Sequence, residues 1–355
     1  MTNALITGWG MYAPSRIMSN KDLEKLVDTS DEWIVSRTGI RERRIAADDE
    51  TTTTLSVNAG RDALAVAGMT ADELDLVIVG TCTPDYYMPA TAVLVAHELG
   101  ATRAAGFDLM AACSGFVFSL ATATSYIRSG MARNVLVVGV EVLSRFLDYT
   151  DRNTCVLFGD GAGAVIVSAS DAPGGLLGLD MYSDGSGKEG IIFPAGGAAC
   201  PTTPQTVAEG GHFVHMAGRE VYKYATRQLA ESSRAALRNA GVSVDEVDQF
   251  LFHQANLRII ESVQNAVGIP MDKTYLNIEK YGNTSAASVP MALVEAVAAG
   301  RIKPGDRLLM AAFGAGFTAG AAVVEWTADP SRAFLAPGEQ TRLGKPQQQL
   351  AEVGA

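Results

Sequence analysis

Three side chains in this sequence are of the types and in the settings that could do covalent chemistry: the thiol of Cys113, the imidazole of His253 and the carboxamide of Asn283. Cys113 lies in Ala111-Ala112-Cys113-Ser114-Gly115, between a short apolar run and an apolar helix predicted over 116–128. A helix N-terminus carries partial positive charge and free N–H groups, and both favour a thiolate. A lone cysteine is also a common buried packing residue, so the residue by itself leaves both readings open. His253 closes the apolar run Gln249–Phe252. Polar groups at the C-terminal edge of a buried strand point into the crevice where open α/β sheets bind ligands, although a histidine there can equally be a satisfied core or cap residue. Asn283 sits in Tyr281-Gly282-Asn283-Thr284-Ser285, which also reads as a turn leading to an N-cap. Gly314-Ala315-Gly316 suits close approach of backbone to a ligand or an oxyanion.

Other signals are weaker. Cys82, Cys155 and Cys200 lack the setting of Cys113 and read as structural. Gly159-Asp160-Gly161-Ala162-Gly163 has neither the spacing nor the following acidic residue of a dinucleotide loop. His212 and His215 form an isolated H-x-x-H, and no metal site is expected. Arg219, Lys223, Arg227, Arg234 and Arg238 fall within about 100° of one another on a helix of 3.6 residues per turn. That stripe is either a solvated face or a dock for an acidic partner.

These groups need elements to hold them, and the sequence carries a repeat. Arg61–Asp75 and Arg234–Asp248 both read R-x-A-L-x-x-A-G-x-x-x-D-E-x-D, identical at eight of fifteen positions and 173 residues apart. Each copy runs into a β-rich stretch, Leu76–Thr81 or Gln249–Phe252, so the chain reads as two copies of one α/β unit with a site at their seam. Adding 173 to Cys113 gives Ala286, which makes the helix after Cys113 and the helix after Asn283 structural twins packed about a pseudo-twofold. Further helices are expected over 20–27, with Asn20 as cap, and over 54–67, 91–99, 220–240, 257–267 and 285–299. Strands are expected over 4–10, 76–79, 105–109, 135–140, 156–158, 164–167, 249–252, 307–312 and 321–326. Residues 184–212, rich in Gly, Pro, Ala and Thr, read as a long functional loop, and 328–355 as a disordered tail.

The 355 residues suffice for one large domain or two medium ones. A net charge of −11 disfavours nucleic acid and anionic membrane as partners. Four cysteines without C-x-x-C spacing, and a start without a basic and then apolar leader, point to a cytoplasmic enzyme with reduced thiols. No apolar run is long enough to span a bilayer.

From residue 4 to 326 the chain resembles the β-ketoacyl-[acyl-carrier-protein] synthase III family. The resemblance rests on long ordered blocks: 27–34 (VDTSDEWI), 37–43 (RTGIRER), 158–164 (FGDGAGA), 253–260 (HQANLRII), 282–290 (GNTSAASVP) and 300–305 (GRIKPG). It implies an α/β thiolase fold with duplicated βαβαβαββ halves in a five-layered αβαβα architecture. The halves would be residues 1–174, holding the nucleophile, and 175–326, holding His and Asn, with 327–355 as a flexible tail. It implies a catalytic triad of Cys113, His253 and Asn283, and an oxyanion hole from the backbone N–H groups of Cys113 and Ala315. An alanine fills that place only if its φ stays negative. Thr29, Trp33, Arg37, Arg152 and Asn256 match coenzyme A contacts, Lys223 and Arg258 match carrier-protein docking positions, and Met88 matches the acyl-pocket wall.

The implied reaction joins an acyl-CoA starter to malonyl-carrier protein, releasing CoA and CO2, and begins type II fatty acid synthesis. It needs no cofactor, coenzyme A entering only as the substrate thioester, and the enzyme is expected to be a homodimer. The chain departs from common members at Met88, Arg219, Tyr222 and Ala319, and has a longer 190–212 loop. The rival readings are a thiolase-fold acyltransferase acting on an alcohol or amine, a starter-unit enzyme of a polyketide-like pathway, a degradative thiolase, and a non-catalytic carrier-binding scaffold. The thiolase would usually need a second cysteine near the C-terminus, and the last here is Cys200.

Overall fold

In a computed structural model, which describes residues 2–332, the repeat occupies equivalent places in two layered halves. The chain begins with β1 (Asn3–Tyr12) and an antiparallel pair, β2 (Arg16–Ser19) and β3 (Glu42–Ile45), enclosing α1 (Asn20–Leu23) and α2 (Asp31–Thr38). It continues through α3 (Thr52–Ala67), β4 (Leu76–Gly80), α4 (Thr91–Leu99), β5 (Ala105–Leu109), α5 (Gly115–Arg128), β6 (Asn134–Glu141) and β7 (Gly161–Ser170). The second half opens with β8 (Gly175–Tyr182), then a segment carrying β9 (Ile191–Ile192), α6 (Pro204–Ala208) and β10 (His215–Met216). It closes with α7 (Gly218–Ala240), β11 (Gln249–Phe252), α8 (Leu257–Val267), α9 (Ile278–Tyr281), α10 (Ser288–Ala298), β12 (Arg307–Gly314) and β13 (Thr318–Glu325).

The first sheet has the order β1-β7-β6-β4-β5 and the second β11-β12-β13-β8. In the first, β6, β4 and β5 pair in parallel while β1, β7 and β6 pair antiparallel; in the second, β11 and β12 pair in parallel while β12, β13 and β8 pair antiparallel. Where the second sheet would hold a counterpart of β5 there is a single bridge, Phe250 to Thr274. Successive side chains of a strand point to opposite faces. Leu76 and Ile78 of β4 accordingly join the central core with Phe116 and Leu293, while Val77 and Val79 join the outer core with Leu55 and Val95. Leu308 and Met310 of β12 likewise face the centre, and Leu309 and Ala311 face Leu229 and Ile260 of α7 and α8. The layers run helix, sheet, helix, sheet, helix, with α5 and α10 in the middle, which is the expected five-layered αβαβα arrangement.

Because the strands are apolar on both faces, hydrophobicity alone does not set how deeply the central helices seat; glycines do. Gly80 and Gly139 are directly paired in β4 and β6. A Cβ on Gly80 would lie 2.8 Å from the Gly115 carbonyl carbon, and one on Gly139 would lie 2.2 Å from the Ala286 oxygen. Each central helix is entered through a 3₁₀ turn, Ala112–Ser114 before α5 and Ser285–Ala287 before α10. Both turns begin with a non-glycine residue at positive φ, Ala112 at 47° and Ser285 at 49°, again 173 positions apart. The twin helices expected from the repeat are therefore matched down to their strained entry residue.

Several expected elements differ. Only Asn20–Leu23 of the 20–27 helix is helical, and Ser19 caps it. Asn20 is buried instead and donates to Asp31 and the Ile40 carbonyl while accepting from Arg43. Residues 156–158 form turns with one bridge at Phe158, because Gly159 and Asn283 hold that segment through backbone bonds. The helix expected over 285–299 divides into the 3₁₀ turn and α10, and the 184–212 loop contains β9 and α6. From residue 333 on, the expected tail lies outside the described residues.

Gly139→Ala should destabilise the fold by roughly 1–3 kcal/mol through overpacking. Gly185→Ala, with open space around it, should stay within about 0.5 kcal/mol of wild type. Urea unfolding midpoints check both, and equal midpoints for the two variants would contradict this account of the central contact.

Candidate active site

Cys113 is carried by the 3₁₀ turn that enters α5 and is buried. Two contacts from the second half pin that turn. Thr318 Oγ1 donates to the Ala111 carbonyl at 2.9 Å. A Cβ on Gly314 would lie 2.6 Å from the Cys113 nitrogen, so β12 reaches the Cys113 turn only because residue 314 is glycine. The adjoining turn is clamped by the Phe317 ring, which stacks on Tyr224 at 4.0 Å and lies against Gly187 and Gly190. Ala315, within that turn, is not among the residues at positive φ, as an alanine in its expected backbone role requires.

The electrostatics of Cys113 differ from the expectation of a thiol acidified at a helix start. Burial, with the nearby charge of Glu141 adding to it, pushes the Cys113 thiol up to about 12, against a hydrogen bond from Ser285 that lowers it. Desolvation outweighs the helix terminus because the side chain is removed from water, and among the described residues no cation offsets it.

His253 follows β11 directly, and its N–H donates to the Ala311 carbonyl at 2.8 Å, extending the β11–β12 ladder. Its ring is buried, stands edge-on to Phe313 at 5.4 Å, and has no hydrogen-bond partner at either nitrogen. Burial lowers its pKa to about 3, so the imidazole is neutral and presents one N–H and one lone pair. Asn283 is held by backbone bonds to Leu157 and Gly159, and its Oδ1 accepts from the Ser285 N–H at 2.8 Å. That leaves its NH2 as the free donor.

A second set of polar groups reaches the same thiol, and sequence reasoning missed it. Ser285 Oγ lies 3.2 Å from Cys113 Sγ and 3.1 Å from Glu141 Oε1. Glu141 is fully buried and accepts from Thr83 Oγ1 at 2.7 Å, from the Cys82 N–H at 3.1 Å and from the Cys82 thiol at 3.3 Å. Its pKa is raised by burial. The signal that could have found it was present: a lone carboxylate closes the apolar run Val135–Val140, as His253 closes Gln249–Phe252. Cys82, read as merely structural, also lines the site.

Cys113, His253, Asn283, Ser285, Ala315 and Asn256 line one cavity of about 520 Å³. Most of its remaining wall is apolar, including Leu143, Phe158, Val214 and Phe313, with Ile191, Ile192 and Phe193 from the segment expected to be a loop. This size and lining fit an extended, largely apolar ligand gripped by a few polar groups.

The other expected residues sit outside its wall. Arg37 and Arg152 place their guanidinium carbons 5.0 and 5.3 Å from the centre of the Trp33 ring. Thr29 Oγ1 is buried without a hydrogen-bond partner. Asn256 joins this cluster to the cavity: its Oδ1 caps α8 at Arg258, and its Nδ2 donates to the Arg37 carbonyl at 3.0 Å. Gly218, Val221 and Tyr222 of α7 and Ile259 of α8 line the cavity, while Arg219, Lys223 and Arg258, interleaved with them, are exposed. Met88 is 83% exposed and does not line the cavity of its own chain.

The family described as 3-oxoacyl-[acyl-carrier-protein (ACP)] synthase III matches residues 107–185, and its C-terminal counterpart matches residues 237–326. A protein of Roseiflexus sp. (strain RS-1) named beta-ketoacyl-[acyl-carrier-protein] synthase III is 53% identical over 325 residues, covering 92% of this chain and 99% of its own. A like-named protein of Desulfitobacterium hafniense (strain DSM 10664 / DCB-2) is 48% identical over 327 residues, covering 92% and 99%. The crystal structure of 3-oxoacyl-[acyl-carrier-protein] synthase III from Aquifex aeolicus VF5 superposes with a TM-score of 0.84 at 46% identity, covering 92% of this chain and all of that one.

The depressed pKa of His253 has a stability consequence of definite sign. Between pH about 6.5 and 3 the unfolded chain protonates this histidine and the folded chain does not. Stability from this residue is therefore intact above pH 6.5 and falls by about 1.4 kcal/mol per pH unit below it. A His253→Gln variant should lack that component, so the difference in unfolding free energy, wild type minus variant, should be level above pH about 6.5 and decline from there to pH 5. An identical acid slope in the two proteins would contradict a buried neutral imidazole.

Proposed function

The chain belongs to the 3-oxoacyl-[acyl-carrier-protein] synthase III family, and on that premise we propose that it catalyses the condensation initiating type II fatty acid synthesis. An acyl-CoA and malonyl-carrier protein react to give 3-ketoacyl-carrier protein, CoA and CO2. The observation that carries this reading is the buried, neutral His253, with both ring nitrogens unpartnered, in the same apolar cavity as Cys113 and the free amide of Asn283.

In the first half-reaction the Cys113 sulfur attacks the thioester carbonyl, and the N–H groups of Cys113 and Ala315 hold the oxyanion. One such donor is worth about 3–4 kcal/mol of barrier. CoA leaves and an acyl-enzyme remains. In the second, His253 and Asn283 donate to the malonyl thioester carbonyl, where negative charge develops as CO2 departs. Only a neutral imidazole leaves the adjacent enolate basic enough to attack the acyl-Cys113, which is the use of burying His253. Decarboxylation supplies the driving force, so the residues' chemistry calls for no metal or redox group.

Trp33, Arg37, Arg152 and Thr29 serve the nucleotide end of coenzyme A, and Asn256 its pantetheine arm. Arg219, Lys223 and Arg258 at the cavity mouth meet the acidic carrier protein. In a homodimer in the cytoplasm, Met88 would reach the pocket of the neighbouring subunit. Acyl transfer to an alcohol or amine, or service to a specialised pathway, is not favoured, since the relatives at 48% identity and above are named as synthases of this one kind.

Cys113→Ala should abolish the acyl adduct seen by intact mass after acyl-CoA addition, and with it CO2 release from malonyl-carrier protein. Condensation that survives at the wild-type rate would exclude Cys113 as the nucleophile. Lys223→Glu and Arg258→Glu should each raise KM for carrier protein about fivefold or more while leaving acyl-CoA loading unchanged, as like-charge contact at a docking rim does. Equal loss of both half-reactions would mark a folding defect.

A further inference from the structure

Behind the cavity wall, in contact with its lining residues Ser285 and Cys82, lies a buried carboxylate that the condensation, as derived above, does not use. Glu141 ends β6 beside the nucleophile turn, fully buried, and no Lys or Arg pairs with it among the described residues. What surrounds it are donors aimed at it. Thr83 Oγ1 already accepts the Val142 N–H, so its own proton is free for Glu141, 2.7 Å away. Thr81 Oγ1 accepts the Thr83 N–H and faces the same oxygen at 3.4 Å. A carboxylate accepts only, and this shell suits the ionised form. The titratable groups near Glu141 are Cys82, in direct contact, and Cys113 through Ser285, with His253 in the same cavity.

Ser285 Oγ contacts both Cys113 Sγ, at 3.2 Å, and Glu141 Oε1, at 3.1 Å. A hydroxyl has one proton to donate. With Glu141 as a pure acceptor, the Ser285 proton at rest belongs to the carboxylate and the Cys113 thiol donates to Ser285; once the thiol proton has passed on, the Ser285 hydroxyl donates to the sulfur, which is the hydrogen bond that favours the thiolate. We propose that Ser285 and Glu141 form a proton relay that activates Cys113, an inference that rests on Cys113 being the nucleophile. The S–H bond breaks as the proton passes to Ser285 Oγ, and the Ser285 proton passes to Glu141 Oε1. The sulfur electron pair then attacks the thioester carbonyl. When the tetrahedral intermediate collapses, the departing CoA sulfur takes a proton from Ser285, which recovers its own from Glu141, and the carboxylate is restored. Glu141 acts through Ser285, whereas Ser285 touches the reacting sulfur.

The pseudo-symmetry supplies a variant that the backbone tolerates. Residue 285 sits at φ 49°, and its twin 173 positions earlier is an alanine, Ala112, at φ 47°. Ser285→Ala thus removes the relay hydroxyl without altering the turn and leaves the Glu141 charge in place. Glu141→Gln removes the base.

Both variants and the full-length wild type would be followed from pH 5.5 to 9.5 by two rates. One is Cys113 alkylation by iodoacetamide, and the other is single-turnover acylation by acetyl-CoA, each read by intact mass. At pH 7 both variants should be slower by about 10²–10⁴-fold, the usual worth of general-base assistance. Their rates should rise tenfold per pH unit, closing the gap as hydroxide takes over. Ser285→Ala decides the matter if Glu141→Gln fails to fold. A loss by the same factor at every pH would overturn the relay in favour of a purely structural role. Faster alkylation in Glu141→Gln at pH 7 would also overturn it, since mere removal of a neighbouring negative charge has that effect. If acetyl-CoA leaves the wild type unmodified while iodoacetamide shows the expected pH pattern, the relay stands and the condensing reading is what fails.

Discussion

The constraint on which this structure depends is the contact between the two central helices and the sheets on either side, made through positions that admit no side chain. Gly80, Gly139 and Gly314 each face a backbone atom of a 3₁₀ turn or helix start at a distance where a methyl group could not fit. That proximity lets the turns at Ala112–Ser114 and Ser285–Ala287 meet, although they belong to different halves. Every reactive group is within a few residues of one of these turns or at the end of a strand flanking them. The strain of a non-glycine positive φ at Ala112 and at Ser285 is sustained by tertiary packing, as strain at functional positions generally is.

Duplication creates two equivalent places, and the chain equips one. Cys113 has Ala286 as its twin, Ser285 has Ala112, and Glu141 has Gly314, each 173 positions apart. His253 corresponds to Gly80 and Asn283 to Met110. The twin of each polar member is small or apolar, and two of those twins, Gly80 and Gly314, are the glycines that allow the close approach. The asymmetry has an energetic reason. Burying an imidazole, a carboxylate and a thiol costs several kcal/mol in desolvation, and a second full set would double that cost.

The interior and exterior of the site follow opposite electrostatic rules. Inside, removal from water holds His253 neutral and the Cys113 thiol protonated at rest. Outside, a chain of net charge −11 carries exposed Arg219, Lys223 and Arg258 interleaved with residues that line the cavity. A local positive field on an acidic molecule steers an acidic partner to one place.

Much of this was legible in the residues. Short unbroken apolar runs located the long strands, and stretches ended by a glycine located the long helices, because these patterns record burial and chain reversal directly. The repeat announced the twin halves, since a shared fold keeps its turn and cap residues in register. The junction setting of Cys113 and the blocks around His253 and Asn283 singled out a candidate thiol, imidazole and carboxamide, and the structure brings all three to one cavity. The 20–27 helix, residues 156–158 and the 184–212 segment were misjudged, because contacts from residues distant in the sequence override local propensity there.

What the sequence determined by itself is therefore most of the long elements and the candidate reactive side chains, properties carried by patterns and motifs local in the chain. Only the tertiary structure decided the protonation environment of those side chains. A helix start argued for an acidic Cys113, yet desolvation, which depends on everything packed around the residue, reversed the sign. It also decided that Glu141, 28 positions beyond the thiol and 144 before Ser285, completes the same cluster. Distances through space between groups from both halves are set by how the sheets stack, and no spacing along the chain encodes them.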